Sequence, residues 1–96
     1  MKLYIDSSIR NKLIVGIDDK RFEKELGERS SQKLLPFIEE VLKKNKLKTN
    51  DITEIKVNTG PGSFTGLRIG ITIANTLGFV LGIPVNGKDT ETEIKY

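Results

Sequence analysis

The stretch of this 96-residue chain most suited to chemistry is a glycine-rich turn, "GPGSFTG" at residues 60–66, which is followed by a long uncharged run. A phosphate-binding P-loop requires a lysine after its last glycine, and this turn has none. A dinucleotide-binding turn requires the spacing Gly-x-Gly-x-x-Gly, whereas Gly60, Gly62 and Gly66 place the third glycine one residue late. Backbone amides at the start of a following helix can still bind an anion, so a small nucleotide- or anion-binding module stays open as an interpretation.

Few side chains are available for catalysis. The chain contains no His and no Cys, which excludes thiolate nucleophiles, imidazole bases and most zinc sites. Ser63 and Thr65 have no imidazole to activate them as nucleophiles. We therefore predict no catalytic residue, no metal site and no cofactor. Asp6 interrupts the first apolar segment, so no signal sequence is indicated and we expect a cytoplasmic location.

The elements that would position this turn follow from the hydrophobic periodicity. Alternating segments at 2–8, 12–18 and 21–28 predict an antiparallel meander of three strands. A helix follows, which starts at Ser30 or Ser31 or, because Pro36 is awkward beyond the first turn, near Lys33. A fourth strand at 54–58, a second helix over 65–81 and a short fifth strand at 83–85 complete the order βββαβαβ. This order predicts an α/β fold with a mixed five-stranded sheet and two helices, in a domain of residues 1–87 with a polar tail at 88–96.

The second helix raises two questions. Residues 69–87 are uncharged over nearly the length of a membrane span, but Thr72, Asn75 and the glycines favour a buried helix instead. Gly66, Gly70, Ala74 and Gly78 recur every four residues and form a stripe without side-chain bulk. Each glycine inside a helix costs about 1 kcal/mol relative to alanine, so the stripe indicates close approach of another backbone. That backbone belongs either to this chain or to a partner protein.

Basic residues are crowded at the end of the first helix. Lys43, Lys44, Lys46 and Lys48 lie where the exposed carbonyls and the helix dipole favour positive charge. This position predicts a structural role for the cluster. An RNA-binding patch, and with it a minimal RNA-binding adaptor, is the alternative. The net charge of +3, from 16 basic and 13 acidic residues, is only weak evidence for a nucleic-acid partner.

Three segments together resemble a known family. They are "YIDSS", "SSQKLLPFIEEVL" and the long run "NDITEIKVNTGPGSFTGLRIGITIANTLGFVLGIPV". In consistent order they are similar to the TsaB family, also called YeaZ, the dimerisation subunit of the bacterial machinery that makes threonylcarbamoyladenosine in tRNA. The resemblance covers about 85 residues, and "GPGSFTGLRIG" is its most specific motif.

The resemblance implies a fold, a role and an interface. The fold is a ribonuclease-H-like lobe of the ASKHA type, and the role is non-catalytic support of the transferase TsaD in modifying tRNAs that decode ANN codons. The implied partners are TsaD in a heterodimer, TsaE in a larger assembly and a second copy when the chain is isolated, with only indirect or weak tRNA contact and no membrane. Binding through both helices makes the following residues the predicted partner interface: Leu34, Phe37, Ile38, Gly66, Leu67, Gly70, Ile71, Ala74 and Gly78. Asp6, Ser7, Gly62 and Ser63 are the expected remnant of a phosphate or anion contact.

Two departures from the family pattern limit these expectations. The family usually has His-Ser before "LLP", where this chain has Ser30 and Ser31. Family members typically contain a second lobe, and the resemblance here extends over the first lobe alone. Since an ASKHA nucleotide site forms between two lobes, we expect this chain to bind ATP poorly.

Overall fold

The computed structural model describes residues 1–25 and 30–92, without the side chains of Ser30 and Ser31. The end of the third predicted strand at 26–28, the last residues of the predicted tail and the Ser30–Ser31 departure therefore lie outside what is described. The elements are β1 (Lys2–Asp6), β2 (Lys12–Ile17), β3 (Lys20–Glu25), α1 (Ser30–Lys44), a 3₁₀ turn (Thr49–Asp51), β4 (Glu54–Val57) and α2 (Phe64–Leu81).

The strands form one mixed sheet in the order β3-β2-β1-β4. β1 is antiparallel to β2 and parallel to β4, with Ile5 opposite both Val15 and Val57. The hairpins follow from the short turns after Ser8 and Ile17, whereas the parallel pair requires the crossover that α1 provides. The predicted mixed α/β fold with two helices is confirmed.

The predicted fifth strand is wrong for the described residues. Val85 makes a single parallel bridge with Ile55 and no ladder continues from it. Pro84 has no N–H to donate, and Asn86 has a φ of 53°, which turns the chain away from β4. The Asn86 side chain replaces the missing strand: its Oδ1 accepts from the Val57 N–H at 2.8 Å, and its Nδ2 donates to the Val57 carbonyl at 3.1 Å.

Both helices pack on one face of the sheet, and their apolar sides form one core with Leu3, Ile5, Leu13 and Val15. α1 begins at Ser30 and continues through Pro36, so the alternative start near Lys33 is wrong. Pro36 is exposed, which leaves the buried side of α1 to the apolar residues Leu34, Phe37, Ile38, Val41 and Leu42.

α2 keeps the predicted bounds to within one residue. Ser63 is its N-cap, since the Ser63 hydroxyl accepts from the Gly66 N–H, and Gly82 is its left-handed C-cap with a φ of 67°. The helix is long and apolar enough to span a membrane, with a mean hydropathy of 1.4. Its buried side consists of Leu67, Gly70, Ile71, Ala74 and Gly78, which pack against this chain's own core. That packing supports the interpretation of α2 as a buried helix of a folded domain.

Candidate functional site

The carboxyl end of β1 and the first turns of α2 form a tight junction. The Ser63 N–H donates to the Ser8 carbonyl at 2.8 Å, and the Ser7 hydroxyl donates to the Gly66 carbonyl. A Cβ atom at Gly66 would lie 2.1 Å from the Ser7 carbonyl oxygen, and one at Gly62 would lie 2.6 Å from that of Ser8. Real Cβ atoms do not approach this closely, so glycine is required wherever the helix meets this loop.

The polar side chains of the junction bind each other. One oxygen of the Asp6 carboxylate accepts from both the N–H and the hydroxyl of Ser8, and the other accepts from the Tyr4 hydroxyl at 3.3 Å. Asn58 Nδ2 completes the network by donating to the Ser8 hydroxyl at 3.2 Å. Asp6, Ser7 and Ser8 are all buried. Every one of these groups has a partner within the chain, which is the arrangement that buried polar groups require.

The structure brings together the four residues predicted to contact an anion. Asp6 and Ser7 lie at the end of β1, and Gly62 and Ser63 face them across the junction. Two of their donors are engaged within the chain: the Ser63 N–H donates to the Ser8 carbonyl, and the Ser7 hydroxyl donates to the Gly66 carbonyl. The anion contact stays a prediction, and the hydrogen bonds of the junction account for these residues as a link between strand and helix.

In the single chain the glycine stripe faces this chain's own strands, and its contact with a partner stays a prediction. A Cβ atom at Gly70 would lie 2.2 Å from the Ser7 hydroxyl oxygen, and one at Gly78 would lie 2.6 Å from a methyl group of Val85. Ala74 is fully buried. The other predicted interface residues, Leu34, Phe37, Ile38, Leu67 and Ile71, are core residues as well. These residues are covered in the single chain, whereas Phe79 and Val80 of the same helix are exposed.

Sequence reasoning missed a second apolar stripe on α2. Ile69, Ile73, Leu77 and Val80, here called the outer stripe, fall within about 80° of one another at 100° per residue. Ile69, Ile73 and Leu77 are partly buried against the core, and Val80 is 72% exposed. The spacing of three to four residues is present in the sequence. It does not distinguish the outer stripe, because α2 is apolar on most sides.

A polar network also escaped prediction, because it joins residues far apart in the chain. The Asn75 side chain exchanges two hydrogen bonds with the backbone of Glu91, at 2.8 and 2.9 Å. The buried Glu91 carboxylate accepts from Asn86 Nδ2 at 2.9 Å and from Lys88 Nζ at 3.3 Å. Residues 88–91 are therefore held against α2 and the loop before them, and the division into a domain of residues 1–87 and a polar tail stays a prediction.

The sheet face opposite the helices is open and polar. The Arg21 guanidinium lies 4.2 Å from the centre of the Tyr4 ring, and Gly16, which pairs with both residues in register, leaves room for this contact. Burial raises the pKa of Tyr4, as does the charge of Asp6, and Arg21 opposes them. Two concavities of about 420 and 600 Å³ share Lys2, Tyr4, Glu54 and Lys56 as lining residues.

The fold and the junction define the class of protein: a mixed α/β lobe whose glycine-rich loop holds the second helix, α2, against the end of the first strand. A sequence profile of the TsaD family, described as tRNA N6-adenosine threonylcarbamoyltransferase, matches residues 24–89. YeaZ from Pseudomonas aeruginosa matches the structure with a TM-score of 0.73 and 26% identity, over 88% of this chain and 41% of that chain.

Curated relatives agree with the profile. The tRNA threonylcarbamoyladenosine biosynthesis protein TsaB of Buchnera aphidicola subsp. Baizongia pistaciae is 40% identical over 62 residues, and that of Haemophilus influenzae is 38% identical over 68 residues. These matches cover 65% and 70% of this chain, and 28% and 29% of the relatives. The chain belongs to the family that the TsaD profile describes, and within that family to the TsaB (YeaZ) proteins. It spans less than a third of the length of the two relatives.

Proposed function

We propose that this chain is a non-catalytic subunit that binds the threonylcarbamoyltransferase TsaD and supports the modification of tRNA in the cytoplasm. The names of the relatives support a role in threonylcarbamoyladenosine biosynthesis. TsaD is the direct partner in this proposal, in a heterodimer, and TsaE joins a larger assembly. The transfer reaction belongs to TsaD.

The observation that carries the proposal is the outer stripe. The outer stripe runs along α2 and ends in the exposed Val80. The neighbouring Phe79 is 85% exposed. The residues of the outer stripe are spaced at i, i+4, i+8 and i+11, and a helix of a partner can pack against apolar residues with this spacing. Because the adjoining side of α2 is buried in the core, the helix can present the exposed end of the outer stripe, at Val80, without unfolding.

The chemistry of the junction supports an accessory role. Asp6, Ser7 and Ser8 are the buried polar residues nearest to the glycine-rich turn, and they satisfy one another and the backbone of α2. A general acid needs a proton donor, and a general base a proton acceptor, that can reach a substrate. Here the hydrogen bonds stabilise the fold and leave the chemistry to the partner.

The test is binding of immobilised TsaD from the same organism by the full chain and two variants. Val80→Glu places a charge on the outer stripe, whereas Thr72→Glu places the same charge at an exposed position of α2 outside the stripe. We expect Val80→Glu to weaken binding by about 30-fold or more, the effect of losing a hot spot, and Thr72→Glu to change it little. Unchanged binding by Val80→Glu, with both variants folded by circular dichroism, would refute the proposed surface.

A further inference from the structure

The basic excess of this chain is confined to one place. Residues 43–51 contain four lysines and one aspartate, a net charge of +3, which equals the formal net charge of the whole chain. The remaining residues are balanced. All four lysines are exposed, at the end of α1 and in the loop that leads to the 3₁₀ turn. We call Lys43, Lys44, Lys46 and Lys48 the basic cluster.

The structure weakens the explanation of the basic cluster as a helix cap. Backbone and amide donors already bind three of the last four carbonyls of α1: Asn45 donates to the Val41 carbonyl, the Lys46 N–H to the Lys43 carbonyl, and the Leu47 N–H to the Leu42 carbonyl. No ammonium group of the cluster donates to a helix carbonyl within the described residues. Lys46 and Lys48 also lie beyond the last turn, where the effect of the dipole has fallen off.

The conformation of Lys46 is a second, independent observation. Its φ is 57°, in the left-handed region that glycine occupies most readily after a helix. Lysine is unfavourable there because its Cβ crowds the backbone. A glycine would terminate α1 with less strain, so lysine at position 46 has a cost to the stability of the fold. Within the described residues, Lys44 alone of the four makes an ion pair, with Glu40 at 3.7 Å.

We propose that the basic cluster binds the phosphate backbone of RNA. Four exposed ammonium groups, three of them without an ion pair among the described residues, fit a polyanion that offers regularly spaced phosphates. Phosphate contacts of this kind position a nucleic acid without reading its sequence. The choice of RNA over other polyanions rests on the proposed function, since the relatives act in tRNA modification, and tRNA is the RNA we expect at this surface.

The experiment measures binding of an unmodified tRNA transcript to the full chain by fluorescence anisotropy at several salt concentrations. Four phosphate contacts predict that affinity falls by about 100-fold between 50 and 200 mM salt. Lys46→Gly is the informative variant, because it should weaken binding about fivefold, lower the salt slope by about 1, and raise the melting temperature by about 4 °C. Lys43→Gln with Lys48→Gln should lower the slope by about 2. Lys33→Gln, an exposed lysine near the other end of α1, is the control and should change little.

Several results would overturn the proposal. These are binding that does not depend on salt, a loss with Lys33→Gln as large as that with Lys46→Gly, or tighter binding to vesicles of anionic lipid than to tRNA. The same variants separate this inference from the proposed function, because Lys46→Gly should leave capture by TsaD intact. A chain that fails to bind TsaD but binds tRNA through the cluster would refute the subunit role and retain the RNA surface.

Discussion

The hydroxyl of Ser7 donates a hydrogen bond to the backbone carbonyl of Gly66, and the same oxygen occupies the space beside Gly70 where a side chain would lie. One serine at the end of β1 therefore fixes the position of α2 and limits the size of the side chain at position 70. The glycine-rich turn that resembles a phosphate-binding loop is used here to bring a helix and a strand together. Its glycines are explained by the approach of the chain's own backbone.

The first prediction concerns this contact. Gly70→Ala places a Cβ atom 2.2 Å from the Ser7 hydroxyl oxygen, so either this hydroxyl must move away from the Gly66 carbonyl or the helix must shift from β1. We expect the free energy of unfolding to fall by about 1 to 3 kcal/mol, the usual effect of overpacking a core. Urea denaturation followed by circular dichroism measures this change.

A double-mutant cycle makes that prediction specific. Ser7→Ala removes the crowding oxygen and one hydrogen bond, and should cost about 1 kcal/mol by itself. The double variant should lose less stability than the sum of the two single variants, because alanine at 70 then meets no oxygen at 7. Strict additivity would mean that Gly70 and Ser7 do not crowd each other in solution.

The second prediction concerns the edge of β4. Asn86→Ala leaves the N–H of the buried Val57 without its acceptor and the Glu91 carboxylate without one donor. Unsatisfied buried groups cost about 1 to 3 kcal/mol each, so we expect a loss of stability in that range and faster hydrogen exchange at the Val57 amide. Asn50→Ala, at an exposed position in the 3₁₀ turn, is the control and should change neither quantity. A Val57 amide that exchanges as slowly in Asn86→Ala as in the unchanged chain would contradict the hydrogen bond from the Val57 N–H to Asn86.

The comparison of sequence and structure is instructive at three places. The periodicity and the flanking glycines defined α2 to within one residue, because Gly60–Gly62 and Gly82 act through local backbone geometry. The glycine stripe correctly indicated a close backbone, but nothing in a local pattern tells whether that backbone is the chain's own. The choice of a partner followed the family resemblance, whereas the packing of the single chain accounts for the stripe by the chain's own backbone. The Asn86 side chain replaces strand pairing at Val57, and the Asn75 side chain binds the backbone of Glu91 from α2; no periodicity encodes such contacts.

The third prediction concerns Tyr4. Burial and the neighbouring Asp6 raise its pKa above the ordinary value of 10.0, so the folded state retains the phenolic proton to higher pH than the unfolded chain does. Between these two pKa values the folded chain binds more protons, and its stability therefore falls as pH rises above about 10. Below that range Tyr4 is neutral in both states and has no such effect.

Ultraviolet titration in a Tyr96→Phe background isolates Tyr4, since the chain has two tyrosines. Asp6→Asn should lower the pKa of Tyr4 by removing the carboxylate charge, and Arg21→Gln should raise it by removing the guanidinium over the ring. Opposite shifts from these two variants are the expected signature. A Tyr4 that titrates at its ordinary value in the folded chain would show that the open face of the sheet is more hydrated than the contact with Arg21 indicates.

The last prediction concerns self-association through the outer stripe. In the absence of TsaD, the outer stripe leaves Val80 and the adjacent Phe79 in water, and pairing of two copies would bury these side chains. A two-fold arrangement uses the same patch on both copies, so each substitution acts twice. We expect sedimentation velocity to show a dimer that forms as concentration rises, and Val80→Glu to return the chain to a monomer because two carboxylates would face each other. Thr72→Glu, outside the outer stripe, should leave the dimer intact. A Val80→Glu chain that still dimerises would place the contact away from α2, and loss of the dimer in both variants would indicate a general effect of charge.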